Sequence, residues 1–442
     1  MKKTNHFYRF CALALSCLLL ISLLPVTQVL ADGDGAIHIK SAEDLRSLAH
    51  SCTLDSWSRG KTVVLDNDIV LTDDDELPIP TFGGTFNGNS HTISGLSITQ
   101  SVSPAGLFGV LQKDAVIKNL NVEGTVTPSG DSENIGGIVG ENHGTIESCT
   151  FNGSVSGKRS VGGIAGSNLA TGIVRACDAS GAIFGQSMTG GIVGENLGSI
   201  VSCRGRAYVN IESTDPSIDL SNLNLEFSLD LAKLSRADTL NTATDTGGIA
   251  GYSSGAIASS TNYAAVGYQH IGYNIGGVVG RSSGQVLACS NEGAICGRKD
   301  VGGIAGIVSD DSFVINCYST VEKITANSSY ASVVGYSKKG NLQNIYGNSA
   351  CPSKSAANSA VGSDKAAGTV WKKTTFALLS LDEMKSGAVT VPSSGESCAN
   401  FAAALNAGAT LFNDTPAATL PGKPDVVLRK WTASESYPVL EK

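Results

Sequence analysis

Hydrophobic and polar residues alternate in short runs along much of this chain, and tight turns separate the runs. One run is Thr145-Ile146-Glu147-Ser148-Cys149, and Ser154-Val155-Ser156 follows after the turn Asn152-Gly153. Alternation of this kind between Asn-Gly and Gly-x turns is typical of short β-strands. Between residues 105 and 350, apart from the interval 205–246, no helical period is long enough to compete with this interpretation.

The runs belong to a repeat marked by the pattern Gly-Gly-Ile/Val-x-Gly. Six copies lie at residues 136–140, 162–166, 190–194, 247–251, 276–280 and 302–306, with weaker copies at 105–109 and 331–335. The step from one copy to the next is roughly 26 to 31 residues, as in known solenoid repeats. The step from Gly191 to Gly248 is the exception. This long step equals two ordinary ones, so it holds a degenerate repeat or an insertion.

We interpret residues 205–246, within the long step, as a lateral insertion. The strict alternation from Leu223 to Leu231 indicates an edge strand or a hairpin, and a short helix from Leu229 to Arg236 is the alternative.

A repeat unit of this length, with about three short strands, cannot bury its own apolar face. Stacked units can, because each strand pairs in parallel with its copy one coil away. The repeat therefore predicts an all-β fold, a right-handed parallel β-helix of nine to twelve coils with short helical or strand caps. Ankyrin and tetratricopeptide arrays need helices that these turns forbid, and propeller blades are longer.

The chain divides into five regions around this array. They are a signal peptide (1–31), an N-terminal cap with the first coils (32–104), the repeats (105–350), a Ser-, Ala- and Gly-rich linker (351–369) and a C-terminal cap (370–442). Ser41 and Asp44 are an N-cap pair that predicts a helix in the first cap. In the second cap we expect helices over 375–384 and 400–406, and a terminal strand or lid that includes Trp431 and 437–440.

The first 31 residues have the pattern of a secretory signal peptide. Lys2, Lys3 and Arg9 precede an apolar run of about 15 residues, and small residues favour cleavage between Ala31 and Asp32. An uncleaved membrane anchor is the alternative, but this run is shorter than the roughly 20 residues that span a bilayer. We therefore expect an extracellular protein, secreted or associated with the cell surface, and no transmembrane segment in the mature chain.

Five of the eleven cysteines recur at the same place in the repeat. Each follows its motif glycine at nearly the same distance: Cys149, Cys177, Cys203, Cys289 and Cys317. This spacing predicts a ladder of inward-facing thiols, which we expect to be reduced and buried. Disulfides between neighbouring coils are the alternative, since a step of about 4.8 Å lies within the range that a disulfide allows. No Cys-x-x-Cys pair or histidine partner indicates a metal site.

Charge and motifs argue against several functions. The net charge of −8 becomes −11 after removal of Lys2, Lys3 and Arg9, which disfavours nucleic acid as a partner. The six histidines form no His-Glu-x-x-His motif. We predict no enzyme, catalytic residue, metal or cofactor. A polysaccharide-cleaving enzyme is the alternative, and it would need two or three carboxylates in one lateral groove.

Aromatic residues near the end of the repeats are the best candidates for ligand contact. They are Tyr252, Tyr263, Tyr268, His270 and Tyr273. Aromatic rings beside amide groups such as Gln269 and Asn274 are suited to hold a sugar or a peptide. The alternative is that these tyrosines stack between coils. As partners we consider a host glycan or a surface protein.

The sequence resembles that of GLUG-motif repeat proteins. The resemblance covers about residues 37–345 and rests on 82–96, on Gly106-Leu107-Phe108-Gly109 and on the glycine motifs with their following cysteines. It implies a bacterial β-helix of the kind found in surface proteins of Gram-positive gut bacteria and beside the catalytic domain of immunoglobulin A metalloproteases. By analogy, it implies an adhesin-like scaffold rather than an activity.

Overall fold

A computed structural model describes residues 35–72, 78–211, 243–268, 272–309, 312–351, 353–354, 359–363, 374–416 and 426–441. Many of them form short strands that recur from coil to coil, and three helices accompany the strands in these residues. The helices are α1 (Ala42–Ser51), α2 (Leu381–Ser386) and α3 (Phe401–Asp414).

Each complete coil gives one strand to each of four parallel sheets. The sheets are numbered by the order of their strands within one coil, as in residues 133–156. Sheet 1 contains Glu133–Gly136, Arg159–Gly162, Ser187–Gly190, Thr244–Gly247, Tyr273–Gly276, Lys299–Gly302 and Ser328–Ala331. Sheet 2 contains Ile79–Phe82, Phe108–Leu111, Val139–Asn142, Ala165–Asn168, Val193–Asn196, Ala250–Ser253, Val279–Ser282, Ala305–Val308 and Val334–Ser337.

The other two sheets are the longest. Sheet 3 contains Ile37–Ile39, Thr62–Leu65, Thr85–Asn87, Val116–Lys118, Thr145–Glu147, Ile173–Arg175, Ser199–Val201, Ala256–Ala258, Gln285–Leu287, Phe313–Ile315 and Asn341–Gln343. Sheet 4 contains Ile69–Val70, Thr92–Ile98, Asn121–Val126, Thr150–Ser156, Asp178–Phe184, Arg204–Val209, Thr261–Asn262, Ser290–Asn291, Tyr318–Ser319, Ile345–Asn348 and Phe376–Leu379. Three small pairs complete the strands: Ile295–Cys296 with Ile324–Thr325, Val389–Thr390 with Ser397–Cys398, and Trp431–Thr432 with Val439–Leu440.

Strands of neighbouring coils pair in parallel and in register. In sheet 3, Ile146 pairs with Ile117 of the preceding coil and with Val174 of the following coil. All three side chains are fully buried, so the core is a stack of apolar rungs. The predicted parallel β-helix is confirmed, and it has four strands in a complete coil where the sequence indicated about three.

The fourth strand arises because the glycine motif forms a corner. Gly136 ends a strand of sheet 1, and Val139 begins a strand of sheet 2. A Cβ atom on Gly137 would lie 2.3 Å from Cδ2 of Phe151 and 2.4 Å from the carbonyl oxygen of Gly163. Because real Cβ atoms do not approach other atoms so closely, this corner needs glycine at position 137.

Buried amides stack beside the apolar core at the end of the sheet 2 strands. Asn142 donates from Nδ2 to Oδ1 of Asn168 at 2.7 Å, and Asn168 donates to Oδ1 of Asn196 at 2.8 Å. Asn196 in turn donates to Oγ of Ser253 at 3.0 Å. All four residues are fully buried, so each coil satisfies the polar group of the next.

The long step between Gly191 and Gly248 is one coil that carries an insertion. Ser187 pairs with Thr244 and Val193 pairs with Ala250, so the strands on either side of the step are direct neighbours. The ends of the interval 205–246 belong to strands of sheets 4 and 1. Residues 212–242, and with them the choice between strand, hairpin and helix, lie outside the described residues.

The N-terminal cap contains the predicted helix, α1. The Ser41 side chain accepts a hydrogen bond from the backbone N–H of Asp44, as the N-cap pair indicated. Leu45 and Leu48 of this helix are fully buried against the first coils. The helix therefore covers apolar residues at the beginning of the array.

The start of the C-terminal region differs from our expectation. We predicted a helix over 375–384, but Phe376–Leu379 is a strand that pairs with Ile345–Asn348. This pairing satisfies the backbone groups at the last rung of sheet 4, and α2 begins only after Ser380. Part of the expected linker also joins the array, because Val361 is buried and bridges to Val334.

The rest of the C-terminal region, residues 381–416 and 426–441, packs against the side of the later coils, and we call it the lateral layer. Its helix α3 begins after Asn400, as predicted, and extends to Asp414. It covers outward-facing apolar residues of sheet 3 that are buried in these coils, among them Ala258, Leu287 and Ile315. The outer surface of sheet 3 therefore changes along the stack. The lateral layer covers it in the later coils, and charged side chains occupy the equivalent surface of earlier coils.

Candidate functional site

The structure separates the five aromatic candidates. Tyr263 lines a cleft beside the lateral layer, whereas Tyr252 and Tyr273 lie on sheets 2 and 1, on another side of the coil. Tyr268 is only 4% exposed and packs with Ala243. His270 lies outside the described residues. The described tyrosines Tyr252, Tyr263, Tyr268 and Tyr273 therefore do not share one surface.

The cleft has a volume of about 810 Å³. One wall consists of residues from successive coils in and beside sheet 4, namely Arg204, Thr261, Tyr263 and Glu292. The opposite wall is formed by the strands Trp431–Thr432 and Val439–Leu440, which we call the lid. Coils and lid together thus enclose a space within the range of small-molecule sites.

Three side chains follow one another along the β-helix axis: Tyr263 and Glu292 line the cleft, and Arg206 lies just behind its wall. The backbone N–H of Tyr263 donates to the carbonyl of Gly205, beside Arg206, and the N–H of Glu292 donates to the carbonyl of Asn262, beside Tyr263. Arg206, Tyr263 and Glu292 are therefore neighbours in three successive coils, about 4.8 Å apart. A guanidinium, a phenol and a carboxyl group form one row.

Tyr263 and the arginines form a connected charged group. The Arg206 guanidinium lies over the Tyr263 ring, 4.4 Å from its centroid. Nε of Arg206 is 3.3 Å and Nε of Arg204 is 3.1 Å from the same oxygen, Oδ2 of Asp178. Asp178 therefore fixes both arginines, and Arg206 orients the tyrosine ring.

Glu292 is the half-buried carboxyl group of the cleft. Burial raises the pKa of this carboxyl, while the Arg206 guanidinium and the nearby Tyr318 hydroxyl offset part of the effect. Burial, together with the Glu292 charge, also raises the pKa of the Tyr263 hydroxyl. The site thus holds a carboxyl group whose charge is costly to keep away from water.

The lid is held against the coils by Tyr318. This residue is fully buried, and its hydroxyl donates to the carbonyl of Pro438 at 2.9 Å. Its ring packs against Phe401 of α3 and Trp431 of the lid, with centroid distances of 5.3 and 5.4 Å. The cleft therefore depends on docking of the lateral layer.

Tyr252 and Tyr273 lie on a separate surface of the coils. Arg281 lies over the Tyr252 ring at 4.7 Å and contacts Oδ2 of Asp245 at 2.8 Å. Arg298 lies 5.7 Å from the centroid of Tyr273. Both rings are half-buried by side chains of the next coil, as the stacking alternative expected, so they are weaker candidates than Tyr263.

The five repeat cysteines occupy equivalent positions just before sheet 4. Each is at most 1% exposed, and each thiol lies 3.2–3.5 Å from the carbonyl oxygen two residues earlier: Cys149, Cys177, Cys203, Cys289 and Cys317. Ser260 takes the place between Cys203 and Cys289 and donates to the carbonyl of Ala258. Burial raises the pKa of the Cys177 thiol well above its ordinary value. No disulfide joins these cysteines in the described structure.

Sequence reasoning missed Arg206, Glu292 and the lid as parts of one site. A signal for the covered surface does exist, because Phe313-Val314-Ile315 is apolar throughout, whereas the equivalent strand Thr145–Glu147 of an earlier coil alternates. The sequence gives no sign that Glu292 belongs to a site, because a single carboxyl residue beside a turn has the same pattern as a solvent-exposed one.

Several other expectations concern metals and membranes. Within the ranges that the structure describes, no group of three or more His, Cys, Asp or Glu side chains is arranged to hold a metal ion. Nor does any helix among those residues have the length and apolar character needed to cross a membrane. The predicted signal peptide and its cleavage between Ala31 and Asp32 lie outside the described residues.

Comparison with known proteins identifies the repeat. Residues 131–156, one coil from before its sheet 1 strand to the end of its sheet 4 strand, match the family model of the GLUG motif. A stretch of 94 residues is 40% identical to halomucin from Haloquadratum walsbyi, and it spans 21% of this chain but 1% of halomucin. A crystal structure of a candidate immunoglobulin A1 protease from Bacteroides ovatus is similar with a TM-score of 0.39 and 16% identity, over 67% of this chain and 79% of that chain. The chain therefore carries the GLUG motif within a parallel β-helical fold.

Proposed function

We propose that this protein is an exported, adhesin-like scaffold that binds an extracellular or cell-surface partner through the cleft between its coils and its lid. The cleft carries the proposal, because it combines a recess of about 810 Å³ with aromatic, cationic and carboxyl groups. Export is supported by the apolar leader that follows Lys2, Lys3 and Arg9.

A binding role agrees with the way the acidic groups are held. Asp178 contacts two arginines, and Glu292 lies near Arg206 and Tyr318. Carboxylates fixed in this way orient a ligand, whereas a general acid or base must exchange its proton with the substrate. We therefore propose that the protein is not an enzyme.

One observation favours the alternative of a polysaccharide-cleaving enzyme. Glu292, with its raised pKa, and Glu441 line the same cleft from the coil side and the lid side. Paired carboxyl groups of this kind perform glycoside hydrolysis in other proteins. Release of new reducing ends or unsaturated sugars from polysaccharides, abolished in Glu292→Gln, would establish this alternative.

A blocked cleft tests the binding proposal. Thr432 lies on the lid, exposed, and lines the cleft, so Thr432→Trp should fill the space without disturbing the core. We expect this variant to lose binding of the exported protein to mucin and to intact cells. Ala433→Trp is the matched control, because Ala433 is exposed beside the cleft but does not line it. Equal binding by wild type and Thr432→Trp would contradict the proposal.

A further inference from the structure

We infer that the ligand of the cleft is an uncharged oligosaccharide. This inference rests on the proposed binding function and adds the chemical class of the ligand. It follows from the balance of charge in the cleft, from its hydrogen-bonding groups and from its shape.

The charges of the cleft cancel. Arg204 and Arg429 face the same space as Glu292 and Glu441. Two further charged groups, Arg206 and Asp178, lie just behind the wall and form an ion pair with each other. An anionic or a cationic ligand would therefore meet a like charge as often as an opposite one, and it would lose its hydration without net compensation.

The hydrogen-bonding groups are complementary to hydroxyl groups. A carboxylate only accepts hydrogen bonds and a guanidinium only donates them, whereas a sugar hydroxyl does both. The hydroxyl-bearing residues Ser202, Ser259, Thr261 and Thr432 also line the cleft.

Tyr263 adds an apolar surface of the kind that sugar rings contact. Arg206 covers one face of its ring, which leaves the other face or the edge for the C–H groups of a sugar. Ion pairing of Arg206 with Asp178 holds the ring in place before a ligand arrives. A preorganised ring of this kind lowers the entropic cost of binding.

The shape of the site favours a small ligand over a folded protein. A stable protein interface buries about 800 Å² on each partner and has an apolar centre. The cleft is instead a recess between two walls that carry polar and charged groups. An oligosaccharide end fits such a recess, and a protein surface does not.

Titration with neutral and acidic glycans tests the inference. The purified full-length protein is applied to an array of neutral oligosaccharides from mucins and from bacterial polysaccharides, with sialylated and sulfated counterparts. We expect saturable binding of neutral glycans and no gain from an added acidic group. Tyr263→Ala and Glu292→Gln should each weaken binding at least tenfold, whereas Tyr252→Ala, on the other surface, should not.

The outcomes separate this inference from the proposed function. Binding that requires a sialic acid or a sulfate would overturn the inference and leave the binding proposal intact. The same conclusion would follow if no glycan bound and if a protein ligand instead bound the wild type but not Thr432→Trp. Glycan binding that survives Tyr263→Ala, Tyr263→Phe and Glu292→Gln, each shown to unfold like the wild type, would place the site elsewhere and overturn both.

Discussion

Each side chain in the array is constrained by its copies one coil away. The asparagines of sheet 2 illustrate this at the residue scale, because Asn168 accepts from Asn142 and donates to Asn196. A buried amide with partners on both sides contributes stability, but its removal leaves two unsatisfied groups. The row of Arg206, Tyr263 and Glu292 uses the same step between coils to align chemically different groups.

Asn168→Ala should destabilise the protein strongly. It would leave Nδ2 of Asn142 and Oδ1 of Asn196 buried without a partner, at a cost of about 1–3 kcal/mol each. Denaturant unfolding measures the effect. Asn152→Ala is the control, because Asn152 is exposed and accepts only from Ser180 in a similar pair. An equal loss of unfolding free energy in the two variants would show that the buried asparagine row adds little stability.

Glu292 should make stability depend on pH. Because burial raises the pKa of its carboxyl, the folded protein holds this proton more tightly than the unfolded chain. Its contribution is fully present below the ordinary pKa of 4.5, and it is lost as the pH rises through the raised value. The unfolding free energy of Glu292→Gln should therefore improve relative to that of wild type as the pH increases above about 4. A constant difference would contradict this, and Glu435→Gln, at an exposed position, is the control.

Elements of the two cap regions show how far the local sequence pattern predicts structure. The N-cap pair of Ser41 and Asp44 predicted a helix that exists, because a cap depends on residues close in sequence. The strand Phe376–Leu379 was predicted as a helix, because its partner Ile345–Asn348 is distant in sequence and pairing overrides local preference. The lid and its contact with Tyr318 are likewise long-range, so the sequence revealed Tyr263 but not the cleft around it.

Phe401→Ala should release the lateral layer while the coils stay folded. Phe401 is fully buried between Tyr318 and Tyr346, with centroid distances of 5.3 and 5.1 Å, so its loss should cost about 3–5 kcal/mol. Limited proteolysis should then cleave residues 381–441 first. Leu411→Ala, in the same helix but 38% exposed, is the control. Simultaneous cleavage throughout the chain would instead show that layer and coils unfold together.

The whole molecule is a stack whose architecture could be predicted from periodicity alone. Glycine corners, apolar rungs and most of the cysteine positions recur from coil to coil, and the paired strands carry the same register. What periodicity could not reveal is where the coils depart from the repeat. The lateral layer packs against the later coils, and the cleft lies where its lid meets them.

The thiol ladder should persist in the reduced form. Burial raises the pKa of the Cys177 and Cys317 thiols well above their ordinary value, so little reactive thiolate forms. Alkylation after unfolding without a reductant should label all five repeat cysteines, as read by mass spectrometry. Exposed Ser434→Cys provides a positive control for labelling before unfolding. Peptides cross-linked between neighbouring coils would contradict this prediction.

Hydrogen exchange with the bound ligand tests the location of the site most directly. The glycan that binds best on the array is added to the full-length protein, and amide protection is followed by mass spectrometry. We predict that protection increases at the lid, Trp431–Thr432 and Val439–Leu440, and at the neighbouring coil residues 261–263 and 290–292. Protection confined to the opposite surface, around Tyr252 and Tyr273, would contradict the assignment of the cleft.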